Sequence, residues 1–317
     1  MKAIVHAAAA HLELRELPVP EPGEGQVRIR TTACGMGSRD LALIAGWPRD
    51  GYPWIYGREW AGVVDAVGPG VPAPLVGRIC VGENRLPIVR EVGVDAPGGF
   101  AEFFIVALDG IHTLPPEFPP ASAAQIEQLA VGVRGMGELR VSDKTAALVV
   151  GDGPMGLLMV SLLRDITVRR IVLLGGRPWR LDMGRRVGAI EVFDYHAGGL
   201  PAGEAFPTVI EASGTAAGVA SAMGAAAGGG KVLVIGPRPG VRSGPAERGV
   251  EVMVTTGSVN AWGEAVRLAV EGGLFLPALV SHRIPPGRFR EAYDLARGRA
   301  PGVLKVVLDW GAGSQGR

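Results

Sequence analysis

The sequence predicts an α/β protein with two domains, a β-rich domain followed by a doubly wound parallel-sheet domain. A length of 317 residues is enough for two domains that each bury a core. In residues 1–100, Pro and Gly separate short apolar runs, which is typical of an antiparallel or mixed β domain. From Lys144 onward, apolar runs alternate with helical patterns, which indicates a parallel sheet built from βαβ units.

The predicted elements can be placed along the chain in order. Strands of the first domain are predicted at 1–7, 26–32 and 61–67, and a helical pattern covers 121–136. The second domain has near-continuous apolar runs, typical of strands covered on both faces, at 145–150, 169–174, 208–213, 231–236 and 251–256. A helical segment at 261–273 and a strand at 303–310 are predicted to return to the first domain. The predicted boundaries are therefore 1–127, 128–258 and 259–317.

Composition narrows the classes of partner. Basic and acidic residues number 32 and 31 and are mixed along the chain, so no charged footprint for nucleic acid or an anionic membrane stands out. Cys34 and Cys80 are too few for a disulfide framework or a structural zinc cage. The first residues lack the apolar core of a secretion signal, and no run of about 18 uncharged apolar residues predicts a membrane helix. We expect a cytoplasmic protein whose partner is a small molecule.

The segment GDGPMG follows a predicted strand and precedes a helical pattern, which is the context of a dinucleotide-binding turn. Gly151 permits the tight turn, Gly153 lets the backbone approach a pyrophosphate, and Gly156 allows close packing of helix on strand. Pro154 suits the first helical turn, and Met155 follows it in the same turn. The helix N-terminus would then hold the pyrophosphate. The alternative is a glycine turn that binds nothing.

The residues after the next predicted strand decide between NAD and NADP. NAD enzymes place an Asp or Glu there, about 20 residues beyond the turn, to bind the ribose 2′-hydroxyl. Gly175 occupies this position, with Gly176 behind it, while Arg177 offers a guanidinium that pairs with phosphate. Arg180 is expected to help or to cover the adenine, with a solvated turn as the alternative for both arginines. Ser213 is also assigned to this site, and the sequence predicts NADP(H).

Segments spread over the whole chain carry a family resemblance. They are ACGMGSRD (33–40), GREWAGVV (57–64), GGFAE (98–102), IEQLA (126–130), GDGPMG (151–156), EASG (211–214), SHRIPP (281–286) and LKVVLDW (304–310). Through them the chain resembles the medium-chain dehydrogenase/reductase superfamily, especially its zinc-dependent alcohol, polyol and threonine dehydrogenases. The resemblance implies a GroES-like catalytic domain and a Rossmann domain, and by analogy a homodimer is an open alternative. No cysteine in 81–97 matches the family's structural zinc lobe.

The resemblance fails at the catalytic zinc. The family's ligand cysteine falls on Gly37 and its ligand histidine on Arg58, which has no lone pair to offer a metal. Of the ligands only Glu127 matches, with Glu59 and Asp40 as carboxylates behind it. The sequence therefore predicts a protein without zinc. Whether Arg58 acts chemically, or only pairs with these carboxylates in the emptied pocket, stays open.

Without a metal, a fixed cation can stabilise the developing oxyanion or enolate, and Arg58 is the leading candidate. Arg39 stands where the family has its proton-relay hydroxyl, and Ser38 precedes it, so either is a candidate to orient substrate or pass a proton. Tyr56 and Glu127 are further acid–base candidates.

Three functions remain open at this point. The first is hydride transfer from NADPH to a carbonyl or a conjugated C=C. The second is alcohol oxidation at a residual or unusual metal site. The third is a non-redox relative, acting as a cyclase, a lyase-like shaper of an intermediate, or a binding protein. The first is favoured.

Overall fold

The chain forms two compact units, described here from a computed structural model. The structure describes residues 1–8, 11–46, 53–86, 90–141, 145–166, 168–236, 239–298 and 300–311. The first unit is Met1–Glu127 together with Val280–Arg317, and the second is Gln128–Leu279. Within the described ranges, no helix is long and apolar enough to span a bilayer.

The chain rejoins the first unit at Val280 rather than at the predicted residue 259. The reason lies in the helix Trp262–Glu271, which belongs to the second unit. It buries Trp262, whose indole N–H donates to the Ser258 hydroxyl at 2.9 Å. An amphipathic helical pattern shows that one face is buried, but it does not show which core covers that face.

The N-terminal part of the first unit is mainly short strands. Its elements are β1 (Lys2–Ala8), β2 (His11–Glu16), β3 (Gln26–Gly35), α1 (Ser38–Ile44), β4 (Glu59–Val67), β5 (Ile79–Gly82), β6 (Arg85–Leu86), β7 (Arg90–Glu91), β8 (Phe103–Ala107), β9 (Ile111–Thr113) and α2 (Pro120–Ala123). The next helix, α3 (Ile126–Leu139), begins in the first unit and continues in the second. The predicted helical pattern at 121–136 is thus two helices, and Glu127 lies in the first turn of the second one.

The second unit alternates strands and helices. Its elements are β10 (Ala146–Val150), α4 (Pro154–Asp165), β11 (Arg170–Gly175), α5 (Pro178–Val187), β12 (Glu191–Asp194), β13 (Phe206–Glu211), α6 (Ala216–Ala225), β14 (Ala226–Ile235), β15 (Gly244–Pro245), β16 (Glu251–Thr255), α7 (Trp262–Glu271) and α8 (Leu276–Leu279). The sheet order is β12-β11-β10-β13-β14-β16-β15, and all neighbours are parallel except β15 and β16. The order reverses between β10 and β13, and ligands of such sheets bind outside the carboxyl ends of the strands at this reversal.

The C-terminal elements complete the sheet of the first unit. They are β17 (Val280–Ile284), α9 (Phe289–Gly298) and β18 (Lys305–Asp309). The sheet order is β17-β18-β3-β4-β5-β9, with β8 also paired to β3. Antiparallel pairing puts Gly35 of β3 opposite both Glu59 of β4 and Val307 of β18, so three distant parts of the sequence meet there.

Each unit has its own apolar core, and the predicted fold class is confirmed. In the first unit, Trp60 and Phe104 pack edge to face with ring centroids 5.1 Å apart. In the second unit, apolar residues of β10, β11, β13 and β14 form a buried cluster beneath α6. The chain combines a β-rich unit with a unit built on a mostly parallel sheet.

Candidate functional site

Arg58 is held between two carboxylates at the start of β4. Its side chain is 19% exposed. Its Nε donates to Glu91 Oε1 at 2.6 Å, and its Nη1 lies 3.1 Å from Glu127 Oε1. Gly57 precedes it with φ of +103°, a conformation that favours glycine, and this turn directs the chain into the strand. The guanidinium is therefore fixed by a charge-assisted hydrogen bond to Glu91 and an ion pair with Glu127.

Arg39 extends this cluster toward solvent. Its Nη2 and Nη1 donate to the two carboxylate oxygens of Glu91, at 2.9 and 3.3 Å. Glu91 thus bridges a half-buried arginine and an exposed one. The structure brings together three predicted residues, Arg58, Arg39 and Glu127, around a carboxylate that the sequence analysis did not predict. Glu91 lies on the two-residue strand β7, where no motif or periodicity marks it.

A second ion pair lies beside this cluster and is almost fully buried. Lys305 Nζ donates to both carboxylate oxygens of Glu59, at 2.9 and 2.7 Å, and the side chains are 3% and 4% exposed. A Cβ added at Gly37 would lie 2.6 Å from Glu59 Oε1, and one added at Gly35 would lie 2.2 Å from Oε2. The Glu59 carboxylate therefore fills the space where a side chain at position 37 would stand.

Asp40 and Glu127 both hold protons more tightly than exposed carboxyl groups do. Asp40 accepts hydrogen bonds from the N–H groups of Gly37 and Gly57, at 3.0 and 3.2 Å. Burial, reinforced by the charge of Glu59, raises the pKa of Asp40 to about 7. Burial also raises the pKa of Glu127, although the charge of Arg58 opposes this. The cluster can therefore store a proton near neutral pH.

The remaining predicted catalytic residues, Tyr56 and Ser38, lie outside the contacts that Arg58 makes with Glu91 and Glu127. Tyr56 is buried, and its hydroxyl lies 2.9 Å from Nδ1 of His6. Ser38 is the first residue of α1 and is exposed. Neither has a described contact with Arg58, so their roles stay predictions.

The glycine turn has the geometry that pyrophosphate binding requires. Gly151 has φ of +117°, and a Cβ there would lie 2.6 Å from the Ser213 nitrogen. A Cβ on Gly156 would lie 1.8 Å from the Gly151 carbonyl oxygen, so helix and strand approach closely. A Cβ on Gly153 would meet no atom within 4 Å, which leaves open space before the backbone at the start of α4. Pro154 and Met155 form the first turn of that helix.

Comparison with known proteins agrees with both units. The family described as alcohol dehydrogenase GroES-like domain matches residues 23–116. An L-threonine 3-dehydrogenase of Anaeromyxobacter sp. strain Fw109-5 is 29% identical over 347 positions, covering 98% of this chain and all of that protein. The Bacillus subtilis enzyme of the same name is 26% identical, with 97% and 98% covered. These likenesses support the predicted resemblance to the medium-chain dehydrogenase/reductase superfamily and to its oxidoreductases of the alcohol dehydrogenase type.

Solved structures of similar fold extend over the whole chain. An Escherichia coli alcohol dehydrogenase in complex with NADH has a TM-score of 0.87 at 21% identity, with 98% and 99% of the two chains covered. A candidate zinc-binding dehydrogenase of Sinorhizobium meliloti bound to NADP has a TM-score of 0.87 at 23% identity, with 97% and 98% covered. These likenesses support the fold of the superfamily and carry no statement about this chain's substrate.

Zinc, which the zinc-dependent branch of the superfamily implies, does not fit the residues present. The guanidinium of Arg58 lies against Glu127, the remaining ligand-type residue, and a carboxylate fills the space beside Gly37. A fixed cation at the ligand position repels a metal ion and has no lone pair to bind it. Among the residues that the structure describes, no three His, Cys, Asp or Glu side chains are grouped to hold a metal ion.

The predicted ribose subsite contains side chains that the sequence analysis did not assign to it. Gly175 ends β11, and Gly176 and Arg177 lead into α5. The carboxylate of Asp152, from the glycine turn, accepts hydrogen bonds from the N–H groups of Gly176 and Arg177 at 3.0 and 2.9 Å. The ring of Tyr195 lies against Gly176, where an added Cβ would meet it at 2.2 Å.

The sequence analysis missed Asp152 and Tyr195. Asp152 stands at a variable position of the glycine motif, and Tyr195 follows directly after β12. Both residues come just after the carboxyl end of a strand, and this position could have marked them as site residues. Arg180 is buried, with its guanidinium 5.1 Å from the Trp179 ring centroid. Ser213 lies two residues past β13, and its N–H and hydroxyl both donate to the buried Glu211 carboxylate.

Proposed function

We propose that this protein is a zinc-independent, NADPH-dependent oxidoreductase that transfers hydride to a small-molecule carbonyl or to a C=C conjugated to one. The observation that carries the proposal is the ion pair between Arg58 and Glu127. In this pair a guanidinium takes the place of the metal and is oriented by a buried carboxylate. NADPH supplies the hydride when it is bound.

Arg58 stabilises the negative charge that develops on the substrate oxygen. It is fixed in place before the reaction, so little reorganisation is needed when that charge appears. Its own charge is shared with Glu91 and Glu127 in the resting protein. Protonation of Glu127, whose pKa is raised by burial, would leave more of that charge for the substrate.

Glu127 is also the best-supported candidate to hold the proton that the product requires. It is 7% exposed and lies within 3.1 Å of the cation that would orient the substrate oxygen. Proton transfer in the transition state is most effective from a group whose pKa lies near the working pH. Asp40, whose pKa is raised to about 7 by burial and by the charge of Glu59, is a second buried carboxyl group that can hold a proton at neutral pH.

The preference for NADPH is supported by Arg177 and Arg180 beside the end of β11, where Gly175 carries no acidic side chain. A phosphate with charge of about −1.5 to −2 pairs favourably with guanidinium groups. The structural neighbours bind NADH in one case and NADP in the other, so their names favour neither cofactor.

The test combines metal content with turnover. The purified protein is analysed for zinc by mass spectrometry. It is then assayed for NADPH and NADH oxidation against aldehydes, ketones and enones, before and after dialysis against a chelator. We expect less than stoichiometric zinc, unchanged turnover after dialysis, and faster reaction with NADPH. The Sinorhizobium meliloti candidate zinc-binding dehydrogenase serves as the comparison protein. One tightly bound zinc per chain whose removal abolishes turnover contradicts the proposal.

A further inference from the structure

The carboxylate of Asp152 occupies the volume where a strand-end acid would stand. A Cβ added at Gly175 would lie 2.6 Å from Asp152 Cβ and 2.9 Å from its Oδ2. The register explains this closeness, because Val150 of β10 pairs with Leu174 of β11 and both strands end at the same edge of the sheet. Strand β11 has no acidic residue at its end, but Asp152 of the neighbouring glycine turn places a carboxylate at the same position.

Hydrogen bonds fix this carboxylate and leave it beside two cations. Oδ2 accepts both backbone N–H groups of the loop after β11, at 3.0 and 2.9 Å. Oδ1 faces the arginines, 3.4 Å from Arg177 Nη1 and 3.8 Å from Arg180 Nη1, and the Asp152 side chain is 8% exposed. One acid and two guanidinium groups therefore share the subsite, which keeps a net positive charge.

We propose that Asp152 is a specificity-determining residue of the ribose subsite, which accepts the 2′-hydroxyl of NADH and opposes the 2′-phosphate of NADPH. The inference rests on the proposed use of a nicotinamide cofactor at this turn. A carboxylate is the group that binds the ribose hydroxyl in NAD enzymes, and the same charge repels a phosphate. It also competes with that phosphate for Arg177. Asp152 therefore limits the preference for NADPH that the arginines create, and NADH remains a usable cofactor.

The substitution Asp152→Asn separates charge from loop geometry. Both backbone N–H groups bind the same oxygen, so the amide oxygen of Asn can retain both bonds while the charge is lost. Calorimetry measures the Kd of 2′,5′-ADP and of 5′-AMP, two ligands that carry the adenosine end of the cofactor with and without the 2′-phosphate. We expect Asp152→Asn to raise the ratio of affinities in favour of 2′,5′-ADP about tenfold.

Two further variants serve as controls. Asp182→Asn removes one negative charge from the exposed face of α5, where Asp182 pairs with Arg185, and should leave the ratio unchanged. Arg177→Ala should lower the ratio, and combined with Asp152→Asn it should remove most of the tenfold gain, because the two side chains interact directly.

Each outcome decides one question. An unchanged ratio in Asp152→Asn, a ratio shifted toward 5′-AMP, or an equal weakening of both ligands overturns the inference. A starting protein that binds 5′-AMP more tightly contradicts the proposed NADPH preference. The inference about Asp152 survives that result if Asp152→Asn still shifts the ratio toward 2′,5′-ADP. Absence of binding by both ligands removes the nucleotide site and the inference together.

Discussion

Replacing Arg58 by Met tests whether the cluster around it is chemical or structural. Met keeps much of the apolar stem and removes the charge. In the structure this removes a cation paired with Glu127, which is 7% exposed, and an arginine that binds Glu91. Leaving a buried charge without its partner costs about 3–5 kcal/mol. Because Glu127 already has a raised pKa and can take up a proton instead, we expect the lower end, about 3 kcal/mol at neutral pH.

The expected effect on turnover is of a different kind. Removing one preformed donor to a developing oxyanion typically costs about 2.7–4 kcal/mol of barrier, which is a hundredfold to a thousandfold in rate. The assay is single-turnover oxidation of NADPH with the best substrate found. Melting temperature and NADPH affinity are measured on the same samples. NADPH affinity reports whether the glycine turn at 151–156 is still intact in the variant.

A double-mutant cycle with Glu127→Gln separates the two roles. Arg58→Met combined with Glu127→Gln leaves no unpaired charge at position 127, so stability should recover in large part. Turnover should still lie about a hundredfold below that of Glu127→Gln alone. Arg134→Met is the matched control, because Arg134 pairs with Glu138 on the same helix and outside the cluster. If the double variant turns over as fast as Glu127→Gln, Arg58 only fills the pocket and the catalytic reasoning fails.

The other predictions concern buried charge. Asp40→Asn should gain stability relative to the unmodified protein by about 1.4 kcal/mol for each pH unit from pH 5 to about 7, and little more above that. The sign follows from the pKa of about 7: the native state holds this proton longer than the unfolded chain, so its stabilising contribution is lost as pH rises. A difference in denaturant midpoint that does not depend on pH would contradict it. Lys305→Met should cost about 3–5 kcal/mol by removing the buried cation that binds the Glu59 carboxylate. Adding Glu59→Gln should recover part of this in chemical denaturation, and a double variant no more stable than the single one would show that the pair is not the cause.

Local pattern was sufficient for most of the fold. The apolar runs at 145–150 and 251–256 correspond to strands Ala146–Val150 and Glu251–Thr255, because a strand covered on both faces must be apolar along its length. The predicted strand at 208–213 is observed as Phe206–Glu211, so Ser213 lies beyond the strand. Strand ends depend on hydrogen-bond partners in other strands, and the sequence of one strand does not contain them.

Some features of the candidate site could likewise be predicted from local sequence, and others could not. Sequence alone determined that the glycine turn precedes a helix, because this depends on residue type and local spacing. The resemblance to the superfamily, which the sequence also carries, implied that Arg58 and Gly37 stand where metal ligands would be. The partners of Arg58 were decided only by tertiary structure, since Glu91 is 33 residues from it. Lys305 reaches Glu59 across 246 residues, through the pairing of β18 with β3 and of β3 with β4. Which charges pair at a buried site depends on which residues are close in space. Strand register sets that closeness, and no single segment of the sequence contains it.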